Sequence, residues 1–215
     1  MASHHDVFML QSDSPKELDR AAAEDPVVID RWYTSFIGKI QRCAIQPGDI
    51  YNCDEGGFRI GIGKREKIIV PASKTRTRVS STKESTRELV TLVKCVDALG
   101  NVLPPMIICQ STSDKVMEDW VRATDVPDDY LIETSSTAYM NDEIALVWLK
   151  HFDKHITKKQ IGEWRMLILD GHSSHTTYKF LSYCQKHKIM PFFLPPHTTY
   201  ILQPLDVAIF QPYKH

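Results

Sequence analysis

Two aspartates follow short apolar segments and stand directly before glycine-containing turns. Asp54 ends the segment IYNCD and precedes EGG, and Asp170 ends RMLILD and precedes GHSSH. If these segments are neighbouring strands, both carboxylates lie at one edge of a sheet, where α/β proteins commonly bind ligands. Like charges a few ångströms apart repel unless a cation lies between them. Mg²⁺ prefers such oxygen ligands together with phosphate oxygens. The pattern therefore indicates a metal site that handles phosphate groups.

Each aspartate taken alone also has a purely structural interpretation. Aspartate is common in turns and at helix N-termini because its side chain accepts hydrogen bonds from nearby backbone N–H groups. A third acid, Asp206, lies 36 positions after Asp170 in the segment LQPLDVAIF. The set of three acids favours the metal-site interpretation over three separate turns.

The apolar pattern predicts the elements that position these acids. Helical spacing of apolar residues predicts an amphipathic helix with one face formed by Val27, Ile29, Trp32, Phe36 and Ile40. The order of the remaining elements is a mixed α/β pattern, which is compatible with an RNase H-like sheet. The remaining predicted elements are a strand at 50–54 closed by a turn, a hairpin over 89–110, a helix over 141–156 capped by Asn141, a strand at 165–170, a helix over 174–188 and a strand at 189–196.

Positive charge is concentrated in residues 64–87. This segment carries eight basic and two acidic residues, a balance of +6, whereas the whole chain carries −1. Lysine and arginine bind DNA by neutralising phosphates and releasing counterions. We expect Lys74, Arg76 and Arg78 to contact DNA; a solvated loop or a localisation signal remains the alternative.

The composition argues against several other classes of protein. Five scattered cysteines without a CxxC pair indicate reduced thiols in an intracellular protein. The longest apolar runs are too short to cross a bilayer, so no membrane partner is expected. The GIG at 61–63 lacks the third glycine of a dinucleotide-binding loop, so no small-molecule cofactor is expected.

Three blocks together resemble the DDE superfamily endonuclease domain, in the version of the pogo, Tigger, jerky and centromere-protein-B group. The blocks are IYNCDEGGF at 50–58, LILDGHSSH at 167–175 and PPHTTYILQPLDVAIFQPYK at 195–214, in the family's order. The resemblance divides the chain into a polar N-terminal segment, residues 1–25, and a catalytic domain, residues 26–215.

The resemblance implies a function and a set of site residues. By position in the blocks, Asp54, Asp170 and Asp206 match the three metal-binding acids, which implies an RNase H-like fold and two Mg²⁺ ions, with Mn²⁺ as a substitute. It also implies a nuclear transposase that cleaves DNA at transposon ends, transfers strands and acts as a homo-oligomer. A histidine recurs in the family at the position of His175, which is expected to contact DNA or to orient Asp170.

Two departures from the family pattern keep other functions open. Gly56 stands where threonine is usual, and the chain ends nine residues after Asp206, so a C-terminally truncated domain is expected. The family's N-terminal helix-turn-helix region is absent from this sequence. The alternatives are a domesticated, non-catalytic DNA-binding or chromatin protein and an inactive transposon remnant; an unrelated metal phosphoesterase has only the aspartates in its favour.

Overall fold

Six strands form a single mixed sheet in the order β4-β3-β2-β1-β5-β6. The computed structural model describes residues 25–60, 88–111 and 126–205. Pairing is antiparallel for β1 with β2 and β2 with β3, and parallel for β3 with β4, β1 with β5 and β5 with β6. The elements are α1 (Pro26–Cys43), β1 (Ile50–Ile60), β2 (Glu88–Asp97), β3 (Met106–Gln110), β4 (Leu131–Ser135), α2 (Asp142–Ile156), β5 (Arg165–Leu169), α3 (Tyr178–Lys186), β6 (Ile189–Phe193) and α4 (Thr199–Leu202).

The sheet separates two hydrophobic cores, and β5 contributes to both. Its alternate residues Leu167 and Leu169 belong to the core under α2 and α3, whereas Met166 and Ile168 belong to the core under α1. Side chains alternate between the two faces of a strand, so all five residues of β5 are buried. This double burial explains the continuous apolar run that precedes Asp170.

Helix α1 covers one face of the sheet with an aromatic contact. The Trp32 ring lies 5.3 Å from the Phe192 ring, and its Nε1–H donates to the Phe193 carbonyl at 2.8 Å. Val27 was expected on this face, and that prediction is wrong because its side chain is 62% exposed. Val27 lies five residues before Trp32, which at 3.6 residues per turn places it on another side of the helix.

The structure also corrects the course of β1. Asp54 does not end the strand, because β1 continues to Ile60 and the segment EGG is extended rather than a turn. The partner strand β2 pairs with this continuation, with Gly56 opposite Leu92 and Gly57 opposite Thr91. Gly56, where the family pattern has threonine, therefore lies within a strand rather than in a turn.

Strand β4 lies in a segment where the sequence shows little periodicity. Each of its five residues is half-buried, so there is no alternation of apolar and polar positions to reveal it. The hairpin of β2 and β3 and the helix α2 are confirmed, including the Asn141 cap, whose Oδ1 accepts from the N–H groups of Glu143 and Ile144.

Candidate active site

The register of two parallel strands brings Asp54 and Asp170 together. Tyr51 pairs with Leu167 and Asn52 with Ile168, a constant offset of 116 positions. The same offset makes Asp54 the counterpart of Asp170, just past the last paired residue of each strand. Neighbouring strands are about 4.8 Å apart, so this register places the backbones of Asp54 and Asp170 next to each other, and both negative charges act on Glu55.

Asp170 is held by the turn that follows it. Residues Ser173–Thr176 form one turn of 3₁₀-helix, and the chain folds back so that His175 Nδ1 lies 3.2 Å from Asp170 Oδ1. The same oxygen accepts from the backbone N–H of His172 at 3.3 Å. An ionised carboxylate only accepts hydrogen bonds, so this contact places a proton on Nδ1 of His175. Both contacts are made by Oδ1.

These contacts keep Asp170 ionised. Burial by itself raises the pKa of its carboxyl, but the hydrogen bond and charge of His175 and the backbone N–H of His172 outweigh burial and lower the pKa below its ordinary value. An ionised aspartate is the form that binds a hard divalent cation. The electrostatics of this residue therefore suit a metal ligand.

His175 is buried between two acids, and it packs against the Phe180 ring at 5.6 Å. Its Nε2 lies 3.9 Å from Glu55 Oε1, within the range of an ion pair but too long for a hydrogen bond. Its side chain is 4% exposed, which favours the role of orienting Asp170. Contact of His175 with DNA stays a prediction.

Glu55 is a further member of this cluster of titratable side chains. Burial raises its pKa to about 7, His175 opposes that rise, and the negative charges of Asp170 and Asp54 add to it. The same three carboxylates also raise the pKa of the buried Cys53 thiol, after burial and the neighbouring Cys95. Glu55 thus lies near negative charges that disfavour its ionised form, and a divalent cation beside it would relieve that repulsion.

A second group of residues, missed at the sequence level, ties the chain near the third acid to β1. Asn52 and Gln203 are 4% and 0% exposed, and the Asn52 side-chain amide donates to Gln203 Oε1 at 2.9 Å. Asn52 Oδ1 accepts from the Leu205 N–H at 3.1 Å. The available signal was a polar residue inside the apolar strand segment IYNCD, since buried polar side chains require partners.

Several predicted site residues lie outside the described residues. They are Asp206 and the predicted DNA contacts Lys74, Arg76 and Arg78. Within the described ranges, no group of three or more His, Cys, Asp or Glu side chains is arranged to hold a metal ion. The described part of the site contributes Asp54, Asp170 and Glu55, and the roles of all predicted site residues stay predictions.

Comparison with known proteins identifies the family. The sequence profile of the DDE superfamily endonuclease matches residues 86–215, which is more than half of the chain. This chain belongs to the DDE superfamily endonuclease family. Its similarity to the human protein "Pogo transposable element with ZNF domain" is 27% identity over 124 residues, which cover 58% of this chain and 8% of that protein. The predicted family is therefore confirmed.

Another relative of this DDE-family domain carries a different kind of name. The Cochliobolus lunatus protein named "MFS-type transporter clz9" is 32% identical over 183 residues, which cover 85% of this chain and 20% of that protein. This chain thus spans a fifth or less of both relatives. Among the described residues, no helix is long and apolar enough to cross a membrane.

Solved structures confirm the fold of this DDE-family domain. The Mos1 transposase paired-end complex with the left transposon end superposes with a TM-score of 0.60 at 13% identity, over 99% of this chain and 53% of that one. The catalytic domain of Mos1 mariner transposase gives 0.51 at 10% identity, over 96% of this chain and 74% of that one. The mixed six-stranded sheet flanked by helices is therefore the RNase H-like fold of this group.

Proposed function

We propose that this chain is the catalytic domain of a nuclear, metal-dependent DDE transposase that cleaves phosphodiester bonds at transposon ends and transfers the freed strands. The observation that carries the proposal is the register of β1 and β5, which makes Asp54 the counterpart of Asp170. The tether of Leu205 to Asn52 supports it, because Asp206 follows Leu205 directly in the chain.

In the proposed site, three carboxylates bind two divalent cations. Asp54, Asp170 and Asp206 are the proposed ligands for Mg²⁺, with Mn²⁺ as a substitute. Once bound, a pair of such ions activates water and stabilises the attacking and leaving oxygens of a phosphodiester. Mos1 mariner paired-end complexes have been solved with Mn and with Mg, which supports this choice for a related fold.

The chain's own residues have distinct proposed roles. Asp54 is held on a strand that β2 continues to pair beyond the site, and Asp170 is held by His175 and the His172 backbone. Neither aspartate is required to transfer a proton, and Asp170, whose pKa is lowered, suits a ligand rather than an acid. DNA is the proposed partner, and a homo-oligomer is proposed because related Mos1 structures are paired-end complexes.

Cleavage of supercoiled plasmid by the purified chain tests the proposal. With Mg²⁺ or Mn²⁺ we expect nicking that falls by more than about 100-fold in Asp170→Ala, because losing a ligand costs more than the 10–100-fold typical of an outer-shell contact. Asp30→Ala, which removes an exposed aspartate of α1, is the matched control and should nick as the wild type does.

Two results would decide against catalysis. A folded wild-type chain that nicks no more than Asp170→Ala refutes the proposed activity. If that chain still retards DNA in a gel, the non-catalytic DNA-binding alternative takes its place; if it neither nicks nor binds DNA, the inactive remnant does.

A further inference from the structure

Two buried side-chain amides join segments that are far apart in sequence. The Asn52 amide nitrogen donates to Gln203 Oε1 at 2.9 Å and to the Ile168 carbonyl at 3.3 Å. The Gln203 amide nitrogen donates to the Cys53 carbonyl at 2.8 Å, and Asn52 Oδ1 accepts from the Leu205 N–H at 3.1 Å. The Asn52–Gln203 pair thus connects β1, the end of β5 and the segment after α4.

These contacts require amides at both positions. Asn52 uses both of its N–H donors and its carbonyl oxygen, and Gln203 acts at once as acceptor and donor. A carboxylate at either position has no N–H to donate, and an apolar side chain makes none of these bonds. Burying two amides costs free energy unless they are paired, so a packed apolar contact would be a simpler way to hold the segment. The pair provides a fixed geometry that an apolar contact does not.

Two of the proposed metal ligands lie close to this pair in the sequence. Asp54 is two residues after Asn52, and Asp206 is one residue after Leu205 in the sequence. We infer that Asn52 and Gln203 are positioning residues that hold the segment carrying the third acid against the strand carrying the first. This inference rests on the proposed function, because it assigns the pair a role in assembling that metal site.

The test separates positioning from stability by comparing variants of the whole chain. Gln203→Met keeps the side-chain volume but removes the amide, and the double variant Asn52→Leu/Gln203→Met removes both amides. Both variants leave backbone groups without these partners, the Cys53 carbonyl in the single variant and also the Leu205 N–H and the Ile168 carbonyl in the double one, so each variant is assayed at a temperature where its own melting curve shows it folded. Gln160→Ala is the matched control, since Gln160 also donates two hydrogen bonds to backbone carbonyls but lies before β5, at the opposite end of the sheet from Asp170.

Mn²⁺ binding, followed by the EPR signal of the free ion, and Mn²⁺-dependent nicking are the readouts. We expect both amide variants to bind Mn²⁺ about 10-fold or more weakly, as for other contacts that orient metal ligands, and Gln160→Ala to bind it normally. A folded double variant with wild-type Mn²⁺ affinity overturns the inference while the proposed function stands. If that variant does not fold, the Mn²⁺ affinity of Gln203→Glu, which keeps the side-chain length, is measured instead, and a wild-type affinity overturns the inference. A wild type whose Mn²⁺ affinity equals that of Asp54→Ala overturns both.

Discussion

A buried ion pair behind the site offers the sharpest quantitative prediction. Arg165, the first residue of β5, donates from Nη1 to Asp153 Oδ1 of α2 at 2.6 Å, and the two side chains are 3% and 11% exposed. Tyr183 and Thr157 donate to the same carboxylate, and His187 Nδ1 lies 2.7 Å from it. The cluster fixes α2 and α3 to the strand that ends next to Asp170.

Asp153→Ala should be strongly destabilising. Removing one partner of a buried pair leaves an uncompensated charge and costs about 3–5 kcal/mol. For a domain of this size, each kcal/mol lowers the melting temperature by about 2–4 °C, so we expect a decrease of about 6–20 °C. Glu163→Ala is the control, because its pair with Lys188 spans 3.2 Å but is exposed on both sides and is worth about 1 kcal/mol or less.

The destabilisation caused by Asp153→Ala should depend on pH in a defined direction. Burial raises the pKa of Asp153, but hydrogen bonds from Arg165, Tyr183 and Thr157 and the charge of Arg165 outweigh it, so the pKa lies below the usual 3.8. A depressed pKa means that the carboxylate stabilises the fold above 3.8 and that this stability is lost as the pH falls through the lower, folded value. The difference in unfolding free energy between wild type and Asp153→Ala, measured by urea unfolding, should have its full size at pH 7 and decrease below about pH 4. Asp153→Ala would refute this reasoning if it lost no more unfolding free energy than Glu163→Ala, or if its difference from wild type did not change with pH.

Two other variants test the site and the fold. His175→Ala removes the side-chain contact to Asp170, so the Mn²⁺ concentration for half-maximal nicking should rise about 10-fold or more. The control is His151→Ala, because His151 contacts the Pro104 carbonyl instead, and this variant should leave that concentration unchanged. Equal effects of the two variants would contradict the role of His175 in orienting Asp170. Asn141→Ala removes the cap of α2 and should lower the unfolding free energy by about 1 kcal/mol in urea titrations, whereas an unchanged midpoint would show that the cap contributes nothing.

Local signals predicted much of this structure. The buried run before Asp170 and the asparagine cap of α2 are visible in the sequence because each depends on residues close together in the chain. The course of β1 past Asp54 was mispredicted because two glycines indicate a turn locally, whereas pairing with β2 holds them extended. The Asn52–Gln203 pair was missed because its partners are separated by 151 positions, and no local pattern connects them.

The extension of β1 has a consequence for how the proposed site works. Parallel pairing with β5 stops at Asn52, but antiparallel pairing with β2 continues through Asp54, whose Cα partner is Lys94. Asp54 therefore lies in the β1–β2 ladder, beyond the last residue that β1 pairs with β5. The segment after α4 contacts β1 at this point, because Gln203 donates to the Cys53 carbonyl. An RNase H-like sheet that changes from antiparallel to parallel pairing at β1 thus holds Asp54 in a strand pair beside the point where pairing with β5 stops, and such a fixed position suits the proposed metal ligand.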